Sequence, residues 1–216
     1  MASMFSSHEV RWFLEGSIDD HPQLRHWIED GAPSPKWLGR LGGKPDVYVV
    51  IPEANGMGIK WREGQLQIKG LESALGTQSF MGGHVGRVER WMKWSYAGDS
   101  IARDFGAWFS RSVSGPKTVE VFKTRCLRKV RINPFTGELN EVHPDQPIDR
   151  GGILEVTDLR AGAKAFSSVA FEAFPNDSAM HENFTKLVNE YLKRLKAVSL
   201  KESNSLSYPA WLRSQL

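Results

Sequence analysis

Cations spaced two residues apart recur along this chain, and in an extended strand that spacing puts them on one face. Across Val119–Arg131, one face carries Val119, Val121, Lys123, Arg125, Leu127, Lys129 and Arg131. The other carries Glu120, Phe122, Thr124, Cys126, Arg128 and Val130, so neither face is a plain apolar stripe. Lys60 and Arg62 share a face, as do Gln65, Gln67 and Lys69 on the following run. Glu89, Trp91 and Lys93 alternate with Arg90, Met92 and Trp94, and Glu9 alternates onto the face of Arg11. Glu155 falls with Thr157, and Glu172 with Ser168 and Ala170. The plainest reading of each such residue is a screened charge on a wet outer face. Recurrence on nearly every strand favours another reading, in which the charges point into a shared interior. Low-dielectric walls would focus their field and draw in a multiply charged anion. Arginine offers planar paired donors to phosphate oxygens, and lysine a mobile point charge. The carboxylates among them would hold Mg²⁺ or Mn²⁺, or merely offset the cations.

Other chemistries find little support. Gly82-Gly83 with Gly86 has no Lys-Ser/Thr after it and reads as a turn, not a phosphate loop. None of the six histidines has the paired spacing of a zinc site. Cys126, the single cysteine, has no base beside it in sequence, and a lone cysteine excludes a disulfide framework within the chain. No Ser-His-Asp set has a recognisable local context. The net charge of +3 is too small to point to nucleic acid.

The elements that must position these residues are mostly strands. Eight tryptophans, 11 phenylalanines, 20 glycines and 11 prolines favour short strands with many turns over a helical bundle. Strands are expected at His8–Glu15, Asp46–Ile51, Gly58–Arg62, Gln65–Gly70, Gly86–Ala97, Val119–Ile132, Glu138–Val142, Gly152–Leu159 and Ala165–Phe174. Glu63-Gly64 marks a hairpin turn. Helices are expected at Asp20–Asp30, Asp99–Ser110 and His181–Leu195. Tyr208, Pro209, Trp211 and Leu212 give the tail enough apolar surface to dock. Too few helices separate the strands for a parallel βαβ fold, so an antiparallel sheet closing on itself is the economical arrangement. One domain over 1–216 is expected. No apolar run reaches the roughly 18 residues of a membrane helix, and Met1–Ser7 is unlike a secretory signal, which suits a soluble cytoplasmic protein.

Glu9–Phe13, Lys60-Trp61-Arg62 with Gln67-Ile68-Lys69, Glu89–Trp94, and above all Gly152–Leu159 followed by Phe171-Glu172 resemble the CYTH, or triphosphate tunnel, superfamily. The likeness spans about residues 8 to 195. It implies a mainly β (α+β) fold, an antiparallel eight-stranded tunnel-like barrel with peripheral helices. Known activities of the family include inorganic triphosphatase, thiamine triphosphatase, adenylate cyclase and RNA 5′-triphosphatase. By position, the resemblance assigns Arg11, Lys60, Arg62, Lys69, Lys93, Lys123 and Arg125 to the triphosphate. It assigns Glu9, Glu155 and Glu172 to a divalent metal, Mg²⁺ or Mn²⁺. The opening motif departs from the family's Glu-x-Glu-x-Lys: the corresponding residues are Glu9, Arg11 and Phe13. A carboxylate has become a cation and a lysine has become apolar, a change that anion binding survives more easily than metal-assisted hydrolysis does.

The expectation is therefore a barrel that binds a triphosphate or other phosphate-rich small molecule, with metal-dependent hydrolysis impaired or altered and no named general base. Two alternatives follow from the aromatic content. One is a barrel for an apolar or mixed ligand, suggested by Phe13; the other is a partner-binding scaffold using Trp37, Trp61 or Trp211.

Overall fold

The computed structural model describes residues 3–32, 37–38, 43–97, 104 and 117–215. In chain order these form β1 (Ser3–Glu15), α1 (Pro22–Glu29), β2 (Trp37–Leu38), β3 (Asp46–Val50), β4 (Met57–Arg62), β5 (Gln65–Phe80) and β6 (His84–Ala97). After them come β7 (Lys117–Ile132), β8 (Leu139–Val142), β9 (Gly151–Ala161), β10 (Lys164–Phe174), α2 (Met180–Leu192) and α3 (Tyr208–Arg213). The helix expected at Asp99–Ser110 lies, apart from Asp104, outside the described residues.

Eight strands close into an antiparallel barrel in the order β7-β3-β4-β5-β6-β1-β10-β9, with β9 returning to β7. Closure pairs the strands around the barrel on both sides, while Leu71–Phe80 of β5 pairs, among the described strands, with β6 alone. The short β2 and β8 attach to β7 outside this circuit. The β4–β5 turn is Glu63-Gly64, both with positive φ (49° and 78°), which matches the right-handed twist of the two arms.

Strand β5 runs ten residues past the expected Gly70. Its continuation, Leu71–Phe80, is short on large apolar side chains and contains Gly76, so it resembles a loop in sequence. Pairing with β6 carries it, through register shifts at Leu71/Ser73 and Ala74/Gly76. Gly86 on β6 is required by close approach: a Cβ there would stand 2.4 Å from the Trp12 ring and 2.6 Å from Val10.

The larger apolar core lies outside the barrel wall. Val10, Trp12, Val88, Val130, Leu154, Val156, Val169 and Phe171 belong to one buried cluster with Leu24, Trp27 and Ile28 of α1 and Phe184, Leu187, Val188 and Leu192 of α2. The two helices thus cover the outward apolar face of the strands, and the alternate residues are left to the interior. A second cluster fills one end of that interior: Phe13, Tyr48, Val50, Val121, Leu159 and Phe166 pack with Trp211 and Leu212 of α3. Ser207 caps α3 by accepting from the Ala210 N–H, and Leu206 N–H donates to the Arg11 carbonyl, so the tail is tied to β1.

Candidate functional site

Alternation along the closed barrel sends one residue in two inward, and those residues surround a cavity of about 210 Å³. All ten residues singled out in sequence line it: Arg11 and Glu9 from β1, Lys60 and Arg62 from β4, Lys69 from β5, Lys93 from β6, Lys123 and Arg125 from β7, Glu155 from β9, and Glu172 from β10. Gln67, Arg87, Glu89, Trp91 and Tyr48 join them, and Leu206–Pro209 of the tail closes one side. Eight cationic side chains therefore face four glutamates across one small space.

Two carboxylates organise most of the cations. Asp46 Oδ2 lies 3.1 Å from Lys60 Nζ and 3.2 Å from Lys123 Nζ, and its Oδ1 lies 3.5 Å from Arg62 Nε. Burial pushes the Asp46 carboxyl up, but Lys123, Lys60 and Arg62 outweigh it and hold the group down at about 2. Burial and nearby cations lower Lys123 to about 8 despite Asp46 and Glu155. Burial, then the Lys123 charge, also takes Lys60 well below its ordinary value. Lys123 Nζ donates to the Tyr48 hydroxyl at 2.5 Å and sits 4.0 Å above the Tyr208 ring.

Glu155 organises the second group. Arg11 Nη1 donates to its Oε1 at 2.8 Å and to Ser168 Oγ at 3.0 Å, and Arg125 Nη1 lies 3.6 Å from its Oε2. Burial works to raise the Glu155 carboxyl, yet Arg11, Arg125 and Lys123 hold it far below the usual carboxylate range.

Glu89, Glu9 and Glu172 form a row across β6, β1 and β10. Glu9 is paired with Lys69 and accepts from Ser7 Oγ at 2.9 Å. Burial raises Glu9, but Lys69 outweighs it and leaves the carboxyl lowered. Glu172 is raised by burial and by the Glu9 charge, and Glu89 is raised by burial. Lys69 and Lys93 stand directly opposite each other on β5 and β6, an unfavourable like-charge pairing. Burial, then Lys69, depresses Lys93.

The metal assignment meets a different geometry. Among the described residues, no three His, Cys, Asp or Glu side chains stand close enough to hold one ion. Arg11 lies on Glu155 and Lys69 on Glu9, so each of these carboxylates already has a cation. A dication joining Glu155 would face the Arg11 charge at roughly 4 Å, where each unit-charge repulsion costs about 4 kcal/mol at an effective dielectric of about 20. Two of the three carboxylates assigned to a metal are thus ion-paired within the chain.

Sequence reading missed Asp46 and Tyr208. Asp46 heads an otherwise apolar strand, Val47–Val50, and a lone acid at that position was the available signal. Tyr208 reaches the cavity only because the tail folds back. Trp91, which shares the face of Glu89 and Lys93, also lines the cavity, and its Nε1 donates to Glu89 at 2.9 Å. Trp211 is 2% exposed and cannot present a partner surface. Phe13, the basis for an apolar ligand, is itself covered by Trp211.

No family model matches the chain, and no curated protein matches it. A conserved hypothetical protein from Pyrococcus furiosus is similar at 14% identity over 91% of this chain and 94% of that one, with a TM-score of 0.39. The barrel itself is closed, antiparallel and eight-stranded. Among the described residues, no helix is long and apolar enough to cross a membrane.

Proposed function

We propose that the barrel interior binds a small phosphate-rich anion, a triphosphate being the form that best matches the spread of its cations, and that the chain is a divergent relative of the CYTH superfamily. One observation carries this reading: seven Lys and Arg side chains chosen from five strands meet in one cavity. Such convergence is costly without a counter-anion. Lys69 opposes Lys93, and burial lowers Lys60, Lys93 and Lys123. A bound polyanion would relieve both effects, and each charge-assisted hydrogen bond to it is worth roughly 1.5–3 kcal/mol.

Arg11, Lys60, Arg62, Lys69, Lys93, Lys123 and Arg125 are the proposed contacts. Arg125 and Arg62 provide directional donors, and the lysines provide mobile charge. Binding, rather than hydrolysis, is the activity this geometry supports, because the carboxylates Glu9 and Glu155 are engaged by cations. Titration calorimetry with tripolyphosphate tests the reading. Affinity that weakens steeply between low and high salt is expected; no heat at any salt concentration would overturn it.

A further inference from the structure

We propose that Arg11 supplies, as a fixed guanidinium, the charge for which the resembling family uses a divalent ion, so that the anion binds here without metal. The proposal rests on the anion-binding reading above. Arg11 shares the inward face of β1 with Glu9 and Phe13, and across the sheet it lies in one row with Ala170 and Glu155. The Ala170 methyl is too short to block the path, and Arg11 reaches over it to Glu155. Nη1 uses its two hydrogens on Glu155 and Ser168, and the guanidinium lies 4.8 Å from the centre of the Tyr208 ring. The group is held on three sides while still lining the cavity, which leaves its Nε and Nη2 donors for a ligand. Arginine keeps its charge throughout the working pH range, so this cation is permanent.

The same placement occupies two of the three carboxylates that the resemblance assigns to a metal. Glu155 is taken up by Arg11 and lies 3.6 Å from Arg125, and Glu9 is taken up by Lys69. An entering dication would have to break an ion pair and then stand against the guanidinium it displaced. A phosphate oxygen meets the opposite situation, since it would be attracted by the guanidinium that lines the cavity.

The full chain, stripped with EDTA, is titrated with tripolyphosphate in EDTA and again in excess Mg²⁺. Mn²⁺ alone is titrated in parallel, with its paramagnetic resonance signal as readout, into the wild type, Arg11→Glu and Arg11→Gln. Expected are full tripolyphosphate affinity in EDTA, weaker affinity in Mg²⁺ because the metal neutralises the ligand, and no Mn²⁺ uptake by the wild type. Arg11→Glu, which adds a carboxylate and removes the cation, should take up Mn²⁺ at least tenfold more tightly than the wild type. Arg11→Gln should lose at least tenfold in tripolyphosphate affinity in EDTA, and this variant decides the matter if Arg11→Glu melts out. Tripolyphosphate binding that requires Mg²⁺, or Mn²⁺ uptake by the wild type, overturns the proposal and leaves the anion site standing. Absence of tripolyphosphate binding in both buffers overturns the anion site and this proposal together.

Discussion

Phe13 and Trp211 stack face to face, with ring centroids 4.5 Å apart and parallel planes, across nearly the whole length of the chain. Phe13 follows Glu9 and Arg11 on the inward face of β1, so one strand passes from the charged part of the interior to its aromatic end. Phe166 and Tyr208 meet the same indole edge-on at 5.2 Å and 5.8 Å. The tail thereby fills the end of the barrel that an inward lysine at position 13 would leave polar.

Trp211→Ala should accordingly cost about 3–5 kcal/mol, the usual range for emptying a fully buried aromatic site. Chemical denaturation measures the loss. Proteolysis should cut the freed tail after Ser205 sooner than in the wild type, and an unchanged midpoint would show that the stack contributes little.

Arg125→Ala should weaken tripolyphosphate binding by about tenfold to a hundredfold, the equivalent of one charged hydrogen bond. Thermal stability should stay nearly level, because Glu155 keeps Arg11 at 2.8 Å. A large fall in melting temperature with unaltered affinity would give Arg125 a structural role instead.

Anion affinity should decline as pH rises through about 8, where Lys123 loses its proton. The protonated form binds the anion, so the favourable charge is present below that value and lost above it. Lys123→Arg should hold the affinity level through the same range. Asp46→Asn, which removes the carboxylate beside Lys60 and Lys123, should move the decline to lower pH. Calorimetry across pH 6 to 10 reads both effects (roughly the span between the ordinary histidine and lysine values).

Acid should destabilise the fold through one buried histidine. His8 is 5% exposed, its Nδ1 has no hydrogen-bond partner, and burial together with His181 and Arg90 lowers it from 6.5 to about 4, against a small opposing pull from Glu72. Because the folded value is depressed, the unfolded chain takes up a proton first. Stability is complete above 6.5 and falls between 6.5 and about 4, by about 3 kcal/mol in all. Melting curves across that window should show the decline, and His8→Gln should flatten it.

Gly86→Ala should destabilise by about 1–3 kcal/mol through overpacking against Trp12 and Val10. Denaturant titration measures it; a neutral result would mean that β6 shifts freely away from β1.

Much of this architecture can be read from local pattern. Alternation in Val119–Ile132, the Glu63-Gly64 turn and the Gly152–Phe174 hairpin are short-range signals, each dictated by backbone geometry within a few residues. The inward set was legible for the same reason, since period two sorts Glu9 with Arg11 and Lys123 with Arg125 whatever the fold. Which face is inward is not a local property. It was decided when α1 and α2 covered Val10, Trp12, Leu154 and Phe171 from outside, which left the charged face to the cavity. The run Leu71–Phe80 became a strand only because β6 lay beside it to take its hydrogen bonds. Asp46 among its three cations, Arg11 on Glu155 and Tyr208 under Lys123 depend on strands far apart in the chain closing on one another. Contacts set by barrel closure have no spacing in sequence, so residue order specified the strands and their two faces, and tertiary packing alone chose the partners of each charge.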